Sequence, residues 1–281
     1  MKNILLYPNV RKDSALTLTT TVARQLVEYG FTVYISENFS LDATVEYYSD
    51  KIPSSCELMI VIGGDGTVID AVPYALSYNI PVLGVNLGKV GYLAEIEPSE
   101  LSLLKLLEDD FILEEKILLD CEVISDGVCQ KQVLGVLNDV LVSRKTEDPI
   151  ATIAVRYNGQ KALDYRADGV ILSTPQGATA YSLSCGGPML SHELSAISLT
   201  PIAPHSFFNR SMVFQDNALF EIENKGESPL LLIADGKKVA SLEKNTFVRV
   251  YKSQKRFKMI SLKKEGHIRS IFKKLRRIEN I

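Results

Sequence analysis

The sequence lacks the features that would point to a membrane or to nucleic acid. No apolar run approaches the ~20 residues that a membrane-spanning helix needs. The formal net charge is only −3, so there is no charge excess that would attract nucleic acid or a lipid surface. The apolar stretch 4–7 is too short for a signal peptide and is typical of a first strand. We therefore expect a cytoplasmic protein with no nucleic-acid or membrane partner.

Cysteine is also scarce, and its spacing does not fit a metal site. The four cysteines are Cys56, Cys121, Cys129 and Cys185. Scattered thiols of this kind are usually reduced, as in the cytoplasm. Cys121 and Cys129 could bind a metal, but no nearby histidine completes a set, and core packing is favoured. We expect no metal site that protein side chains form alone.

The first part of the chain alternates strands with helices. With 281 residues, 46% of them apolar, the chain is long enough for two modest domains. Short apolar runs predict strands at 4–7, 31–35, 58–62 and 81–85. Helical periodicity predicts helices at 14–29, ended by Gly30, after Gly66, and at 98–107 with Ser99 as the N-cap. This alternation predicts an α/β domain with a parallel sheet, in which ligands bind beyond the carboxyl ends of the strands.

The pattern changes at about Lys116, where short β-rich runs begin. Asp126-Gly127 and Asn158-Gly159 are two-residue hairpin signals between alternating runs. We predict an α/β domain over 1–116 and an all-β sandwich domain over 117–265. The predicted strands of the second domain are 117–125, 133–143, 151–157, 170–173, 218–223, 230–233, 247–251 and 258–262. Residues 266–281 predict a basic amphipathic helix, docked on the protein itself rather than on a membrane or nucleic acid.

The first chemically informative stretch follows the strand 58–62. It reads Gly63-Gly64-Asp65-Gly66-Thr67 and precedes a helix. A helix N-terminus after a glycine-rich turn favours an anion, most often phosphate. Asp65 is unfavourable beside phosphate unless it holds a metal or takes a proton, which indicates catalysis; the alternative is that it caps the helix. The spacing is neither that of a Walker loop nor G-x-G-x-x-G.

The second informative stretch is the segment 174–188, which follows Arg166-Ala167-Asp168-Gly169 and the strand 170–173. It is rich in hydroxyls, small residues, glycine and proline, so its backbone can approach a ligand closely. Tyr181 offers a ring for stacking. A Ser/Thr-rich connector with a buried tyrosine explains this composition equally well.

These motifs together resemble the NAD kinase family. The Gly-Gly-Asp-Gly-Thr motif is also similar to lipid kinases of the diacylglycerol type and, less closely, to phosphofructokinases. The segment 174–188 resembles the family's Thr-Pro-x-Gly-Ser-Thr-Ala-Tyr run, with Ala178 for the usual Ser. Three further blocks match in order: 86–93, with Tyr92 for Phe, 137–139, and 199–205. The resemblance implies a Rossmann-like, phosphofructokinase-like α/β domain followed by the β-sandwich.

The resemblance also implies the reaction. An NAD kinase transfers the γ-phosphoryl group of ATP to the 2′-hydroxyl of the adenosine ribose of NAD. Asp65 would be the general base, and Gly64, Gly66 and Thr67 would bind phosphates. A magnesium ion, or another divalent metal, would accompany ATP.

By the same resemblance, a second set of residues would bind NAD. Asn138 and Asp139 would contact ribose and nicotinamide, although an Asx turn is the alternative. Arg166 and Asp168 would reach the site of a neighbouring subunit in a homo-oligomer, a tetramer or a dimer; a surface ion pair between them is the alternative. The remaining candidates are Thr179, Ala180, Tyr181, Ser182, Leu183, Ser184, Ala203 and Lys237. Lys237 stands where the family often has Gln.

Two other functions remain open at this point. A lipid or sugar kinase would share the first motif but not the later blocks. A non-catalytic NAD-binding sensor would not need Asp65. No Ser or Cys nucleophile elbow accompanies His192 or His205 in the sequence, so we leave both out of the catalytic set.

Overall fold

The computed structural model describes residues 1–9, 13–87, 91–205 and 208–262. The predicted C-terminal helix over 266–281 and the centre of the 86–93 block lie outside the described residues. Contacts divide the described chain into two compact units. The first contains residues 1–115 and 257–262, and the second contains residues 116–256.

The first unit contains the predicted parallel sheet. Its strands are β1 (Asn3–Pro8), β2 (Thr32–Ser36), β3 (Glu46–Tyr48), β4 (Leu58–Gly63) and β5 (Val82–Asn86), in the order β3-β2-β1-β4-β5. All neighbours are parallel, and Met259 near the end of the chain adds a parallel pairing with Val82. The short strand β3 was missing from the sequence-based prediction. The α/β class of this unit is confirmed.

Helices cover this sheet. They are α1 (Asp13–Glu28), α2 (Asp65–Tyr78) and a 3₁₀ helix (Pro98–Leu107). The central strand β4 is buried at all six positions, as its continuous apolar run predicts. Leu26 of α1 and Leu104 of the 3₁₀ helix pack with the sheet residues Leu6 and Ile60 in one apolar core. Among the described residues, no helix is long and apolar enough to cross a membrane.

The ends of two helices test the capping predictions. Gly30 adopts a φ of +83°, and the Phe31 N–H donates to the Leu26 carbonyl, so Gly30 ends α1 as predicted. Ser99 as the N-cap of the 3₁₀ helix is wrong. The N-cap is Glu97, which forms a reciprocal capping box with Glu100, because Glu97 is the last residue with extended backbone angles.

The second unit is an antiparallel β structure with two sheets. Its strands are β6 (Ile112–Ser125), β7 (Val128–Val136), β8 (Asp139–Ser143), β9 (Ala151–Tyr157), β10 (Gln160–Ala167), β11 (Gly169–Ser173), β12 (Ala196–Ile202), β13 (Met212–Gln215), β14 (Phe220–Asn224), β15 (Leu230–Ala234), β16 (Lys237–Leu242) and β17 (Phe247–Ser261). The first residues of β6 and the last residues of β17 belong to the first unit. One sheet has the order β13-β12-β11-β8-β15-β16. The other contains β10-β9-β14-β17, with β6 beside β17 and β7 beside β6. Apolar residues of both sheets share one core, so the sandwich prediction is confirmed.

The sequence predicted the hairpin turns more accurately than the ends of the strands. At both predicted hairpins the two turn residues have positive φ, at 51° and 76° for Asp126-Gly127 and 49° and 77° for Asn158-Gly159. The strand bounds contain errors. The run 133–143 is two strands that break at residues 137–138, and 247–251 and 258–262 are one strand. Strands β10, β12, β13 and β16 were missed.

We predict that Gly84→Ala destabilises the first unit. An added Cβ would lie 2.6 Å from the Ala94 Cα and 3.0 Å from the Leu93 carbonyl oxygen, so backbone must move. Urea unfolding should show a loss of about 1–3 kcal/mol. The control is Gly226→Ala, where the nearest atom is 3.5 Å away and no comparable loss is expected. Equal stability of the two variants would contradict the prediction.

Candidate functional site

The glycine-rich turn of the first unit joins the buried strand β4 to helix α2. Gly64 is the N-cap of α2 and has no side chain to offer the first turn. The N–H groups of Thr67 and Val68 both donate to the Gly64 carbonyl, at 2.9 and 3.3 Å. The N–H groups of Asp65 and Gly66 come before these two in the chain. They lie at the N-terminus of α2, which is the positive end of the helix dipole.

The Asp65 carboxylate accepts hydrogen bonds from three consecutive backbone N–H groups. Its Oδ2 accepts from Tyr92 at 2.8 Å, and its Oδ1 accepts from Leu93 at 2.9 Å and Ala94 at 3.2 Å. Gly91 precedes this segment, and a Cβ there would lie 3.2 Å from Asp65 Oδ1. Asp65 is therefore a fixed group that ties the turn after β4 to the segment 92–94, rather than the cap of its own helix.

The glycines of the turn differ in the space around them. A Cβ at Gly63 would lie 2.3 Å from the Thr67 Oγ1, so packing requires glycine there. Thr67 itself is buried, and its Oγ1 accepts a hydrogen bond from Asn9 at 2.9 Å. At Gly64 and Gly66, a Cβ would meet no described atom within 4 Å, and neither residue has a positive φ. Neither packing against described atoms nor a positive φ explains the glycines at these two positions.

In the second unit, the turn between β7 and β8 carries Asn138 and Asp139. The Asp235 carboxylate accepts from the N–H groups of Leu137 at 2.8 Å, Asn138 at 2.7 Å and Asp139 at 3.2 Å. The Asp235 N–H donates in return to the Asp139 carbonyl at 3.0 Å. This turn is therefore held by a carboxylate in the same way as the segment 92–94.

The segment 174–188 packs against the same turn. Thr174 donates from its Oγ1 to the Leu137 carbonyl at 2.6 Å and from its N–H to the Asn138 carbonyl at 2.9 Å. A Cβ at Gly177 would lie only 2.1 Å from the Asn138 carbonyl oxygen, so glycine is required there. The segment is thus more than a polar connector, because its backbone is fitted to the Asn138 turn.

The predicted residues of this segment occupy different environments. Thr179 donates to the Gln176 carbonyl at 3.3 Å, and Ala180 caps the helix α3 (Tyr181–Ser184). Ser182 is buried and shares a hydrogen bond with Thr200 at 3.1 Å. Tyr181 and Ser184 are exposed, whereas Thr179, Ala180 and Leu183 are half-buried. The side chains of Tyr181 and Ser184 are exposed, and Thr174 fixes the start of their segment to the Asn138 turn. This arrangement suits contact with a ligand.

Arg166, Asp168 and Ala203 lie on neighbouring segments. The His205 N–H donates to the Arg166 carbonyl at 2.7 Å, and the Asp168 N–H donates to the Ile202 carbonyl at 2.9 Å. Ala203 has a φ of 43°, which is strained for a residue with a Cβ. The ion pair considered between Arg166 and Asp168 does not form. Asp168 pairs with Arg144 at 2.6 Å instead, and Arg166 is exposed.

Charge is concentrated around Asp139. Burial, and then the Asp235 carboxylate, raise the pKa of Asp139 to about 7. Burial also raises the pKa of Asp235, whereas its three N–H donors and Lys237 lower it. The pKa of Tyr181 is raised by burial first, then by Cys185, Asp168 and Asp139. Three N–H donors favour the ionised form of Asp235, whereas burial and the neighbouring Asp235 carboxylate both disfavour the ionised form of Asp139.

Comparison with known proteins gives matches over nearly the whole chain. The family model described as ATP-NAD kinase N-terminal domain matches residues 4–111, and the one described as ATP-NAD kinase C-terminal domain matches residues 137–262. The NAD kinase of Lachnoclostridium phytofermentans is 35% identical over 277 residues, 95% of each chain. That of Natranaerobius thermophilus is 32% identical over 283 residues, 98% of each.

The chain belongs to the NAD kinase family. Its activity is therefore ATP-dependent phosphorylation of NAD, and these matches do not support the alternatives of a lipid or sugar kinase or of a sensor. Among solved structures, yeast NADH kinase complexed with NADH has a TM-score of 0.83 at 21% identity, over 98% of this chain and 87% of that one. An Archaeoglobus fulgidus NAD kinase in complex with ATP has a TM-score of 0.71 at 24% identity, over 99% of each chain. These two likenesses show the fold.

The sequence-based reasoning missed Asp235 in this member of the NAD kinase family. Asp235-Gly236 has φ values of 46° and 75° and joins β15 to β16, the same turn as the two hairpins that were predicted. The Asp-Gly signal was therefore available. The three hydrogen bonds to residues 137–139 were not, because they span about a hundred residues of sequence.

We predict that Asp139 makes the protein less stable as the pH rises from 4 to 7. The pKa of Asp139 is about 7 in the folded protein, against an ordinary value of 3.8. The folded state therefore binds more protons than the unfolded state in this range, and stability falls until the pH passes the folded pKa. Asp139→Asn cannot ionise and escapes this loss, so its stability relative to the native chain should rise by up to about 3 kcal/mol between pH 5 and pH 8.

Urea unfolding at both pH values measures this difference. Asp126→Asn is the control, because it makes the same replacement at an exposed position in a hairpin turn. A difference for Asp139→Asn that is independent of pH would show that Asp139 is ionised throughout the range.

Proposed function

We propose that the first unit binds the phosphates of ATP and the second unit binds NAD. The phosphoryl group passes from the γ-position of ATP to the 2′-hydroxyl of the adenosine ribose. A new P–O bond forms to that oxygen, the bond to the ADP oxygen breaks, and the hydroxyl proton goes to Asp65. Positioning and charge neutralisation account for most of the catalysis in such transfers.

The hydrogen bonds of Asp65 support its assignment as the general base. An ionised carboxylate has about four lone-pair sites. The three N–H donors use two on Oδ1 and one on Oδ2, which leaves one site on Oδ2 for the proton of the nucleophile. The same donors fix the orientation of the carboxylate, as a positioned base requires.

The open surroundings of Gly64 and Gly66 support phosphate binding at this turn. No described atom lies where a Cβ would be, and the turn leads into the positive end of α2. A phosphate can approach such a backbone because no side chain intervenes. Thr67 takes part through its hydroxyl, which accepts from Asn9 and still has its own proton to donate, because the Thr67 N–H already donates to the Gly64 carbonyl.

The residues also fit a magnesium ion that ATP largely holds itself. The described part of the chain has no cluster of three acidic, histidine or cysteine side chains. Mg²⁺ is commonly bound by one or two carboxylates together with substrate phosphates. Asp65 is the acidic side chain of the glycine-rich turn, and the ion would neutralise phosphate charge there.

For NAD, we propose that Asn138 and Asp139 bind ribose and nicotinamide groups, with Tyr181, Ser184 and Ala203 around them. Two observations support the assignment: Thr174 holds the backbone of the Asn138 turn by a hydrogen bond to the Leu137 carbonyl, and Ala203 has a strained, left-handed conformation. Arg166 and Asp168 serve a neighbouring subunit of a homo-oligomer. Lys237, whose charge acts on Asp235, is the remaining residue that we propose for NAD binding.

We predict that Asp65→Asn lowers kcat by about 10²- to 10⁴-fold, because an amide cannot take the proton. Formation of NADP from ATP, MgCl₂ and NAD, detected with an NADP-specific dehydrogenase, measures the rate. The amide keeps one acceptor oxygen, so at least one of the three N–H bonds to residues 92–94 is lost as well. Calorimetry should still show losses of ATP and NAD affinity that are much smaller than the loss of kcat, since the proton acceptor acts in the transition state. Near-native turnover would remove Asp65 from its role as base. Loss of ATP or NAD binding would make it an anchor of the segment 92–94 alone.

We predict that Gly66→Ala does not lower the stability of the protein but raises its KM for ATP. Alanine is favoured over glycine in a helix by roughly 1 kcal/mol, so the variant should be no less stable. The added methyl should displace the phosphates and raise the KM for ATP by about tenfold or more. Gly63→Ala is the contrasting variant, and it should unfold more easily because of the contact with Thr67. An unchanged KM for ATP in Gly66→Ala would contradict phosphate binding at this turn.

A further inference from the structure

The Asp235 carboxylate is a half-buried acidic group to which the proposed reaction gives no role. It lies in the hairpin turn between β15 and β16, and all of its described hydrogen bonds go to the turn that carries Asn138 and Asp139. We propose that Asp235 is a positioning residue, which sets the affinity for NAD by holding the side chains of Asn138 and Asp139 in place. This inference rests on the proposed function.

The contacts around residues 137–139 support this role. Asp235 takes up the three N–H groups of the turn, and Thr174 takes up the carbonyls of Leu137 and Asn138. The main chain of the turn is thus held from both sides. The side chains of Asn138 and Asp139 are left to interact with a ligand, and their direction is set by a backbone that cannot rotate without breaking these bonds.

The strength of these bonds also argues for a positioning role. Hydrogen bonds from N–H groups to an ionised carboxylate are roughly twice as strong as neutral ones. The distances of 2.7 and 2.8 Å to Asn138 and Leu137 are in the range of such bonds. A hairpin with a left-handed Asp-Gly turn does not need them, because Asp126-Gly127 forms the same turn while its carboxylate is exposed.

Asp235 also affects the charge of Asp139. The two carboxylates are close enough that Asp235 raises the pKa of Asp139. The other titratable groups that face Asp139 are Tyr181 and Cys185 of the neighbouring segment, and Lys237 faces Asp235. Tyr181 and Cys185 have raised pKa values, so near neutral pH Asp235 is the charge that bears most directly on Asp139.

Two variants test the proposal. Asp235→Gly keeps the left-handed turn and removes every acceptor, whereas Asp235→Asn keeps one acceptor oxygen. We expect Asp235→Gly to raise the KM for NAD by about tenfold or more, and Asp235→Asn to raise it less, with the KM for ATP within about twofold of the native value. The value of kcat should change little, because the residue acts on binding.

The pH profile provides a readout that a purely structural role would not change. Without the Asp235 charge, Asp139 ionises at lower pH. The midpoint of the pH dependence of the KM for NAD should therefore move down by about half a unit or more in Asp235→Asn. Asp126→Gly and Asp126→Asn are the matched controls, because they make the same changes in the same kind of turn and should alter neither KM nor the midpoint.

Measuring Asn138→Ala beside these variants distinguishes a failure of this inference from a failure of the proposed function. If Asn138→Ala raises the KM for NAD and the Asp235 variants do not, the inference is wrong and the proposed function stands. If Asn138→Ala also leaves the KM for NAD unchanged, the assignment of NAD to this turn fails. Parallel increases in both KM values, with lower melting temperatures and an unmoved pH midpoint, would show that Asp235 only stabilises the fold.

Discussion

Each unit contains a carboxylate that accepts hydrogen bonds from three consecutive backbone N–H groups, and its candidate binding residues depend on that interaction. Asp65 does this for residues 92–94 and Asp235 for residues 137–139. Successive N–H groups in a turn form a concavity suited to an anion, and here the anion is part of the protein. Each carboxylate bonds to residues far away in the sequence, so each fixes a segment whose own sequence does not determine its conformation.

The two carboxylates differ in what stands beside them. Both are half-buried, and both accept two N–H groups on Oδ1 and one on Oδ2. Asp65 lies at the start of a helix beside Gly64 and Gly66, where no described atom lies within 4 Å of a Cβ position. Asp235 lies in a hairpin turn, and all of its described hydrogen bonds go to residues 137–139. The first arrangement suits a group that takes part in proton transfer, and the second suits a group that supports others. The same hydrogen-bond pattern therefore allows one role or the other according to the groups that surround the carboxylate.

Local signals predicted much of the fold. The buried run 58–62 and the Asp-Gly and Asn-Gly turns were predictable, because burial on both faces and positive φ each restrict the residue types allowed. Ser99 was wrongly chosen as a cap because Glu97 and Glu100 cap the helix as a pair. Strand β10 was missed because its mostly exposed residues, apart from Tyr165 and Ala167, lack a long alternating pattern. The partners of Asp65, Asp235 and Asp168 depend on tertiary contacts, which single-sequence patterns do not encode.

Several unfavourable features occur together in the second unit, and one cause can explain them. Asp139 is only 6% exposed and lies beside a second carboxylate, and Ala203 has a left-handed conformation that a residue with a Cβ rarely adopts. Each feature lowers the stability of the folded chain. Replacing Asp139 with a neutral residue, or Ala203 with glycine, would relieve it without changing the fold. Such features persist where function needs them, because proteins give up stability at their sites rather than elsewhere. Their position beside Asn138 and on the segment that bonds to Arg166 and Asp168 therefore supports, independently of any motif, the proposal that NAD binds at this part of the sandwich.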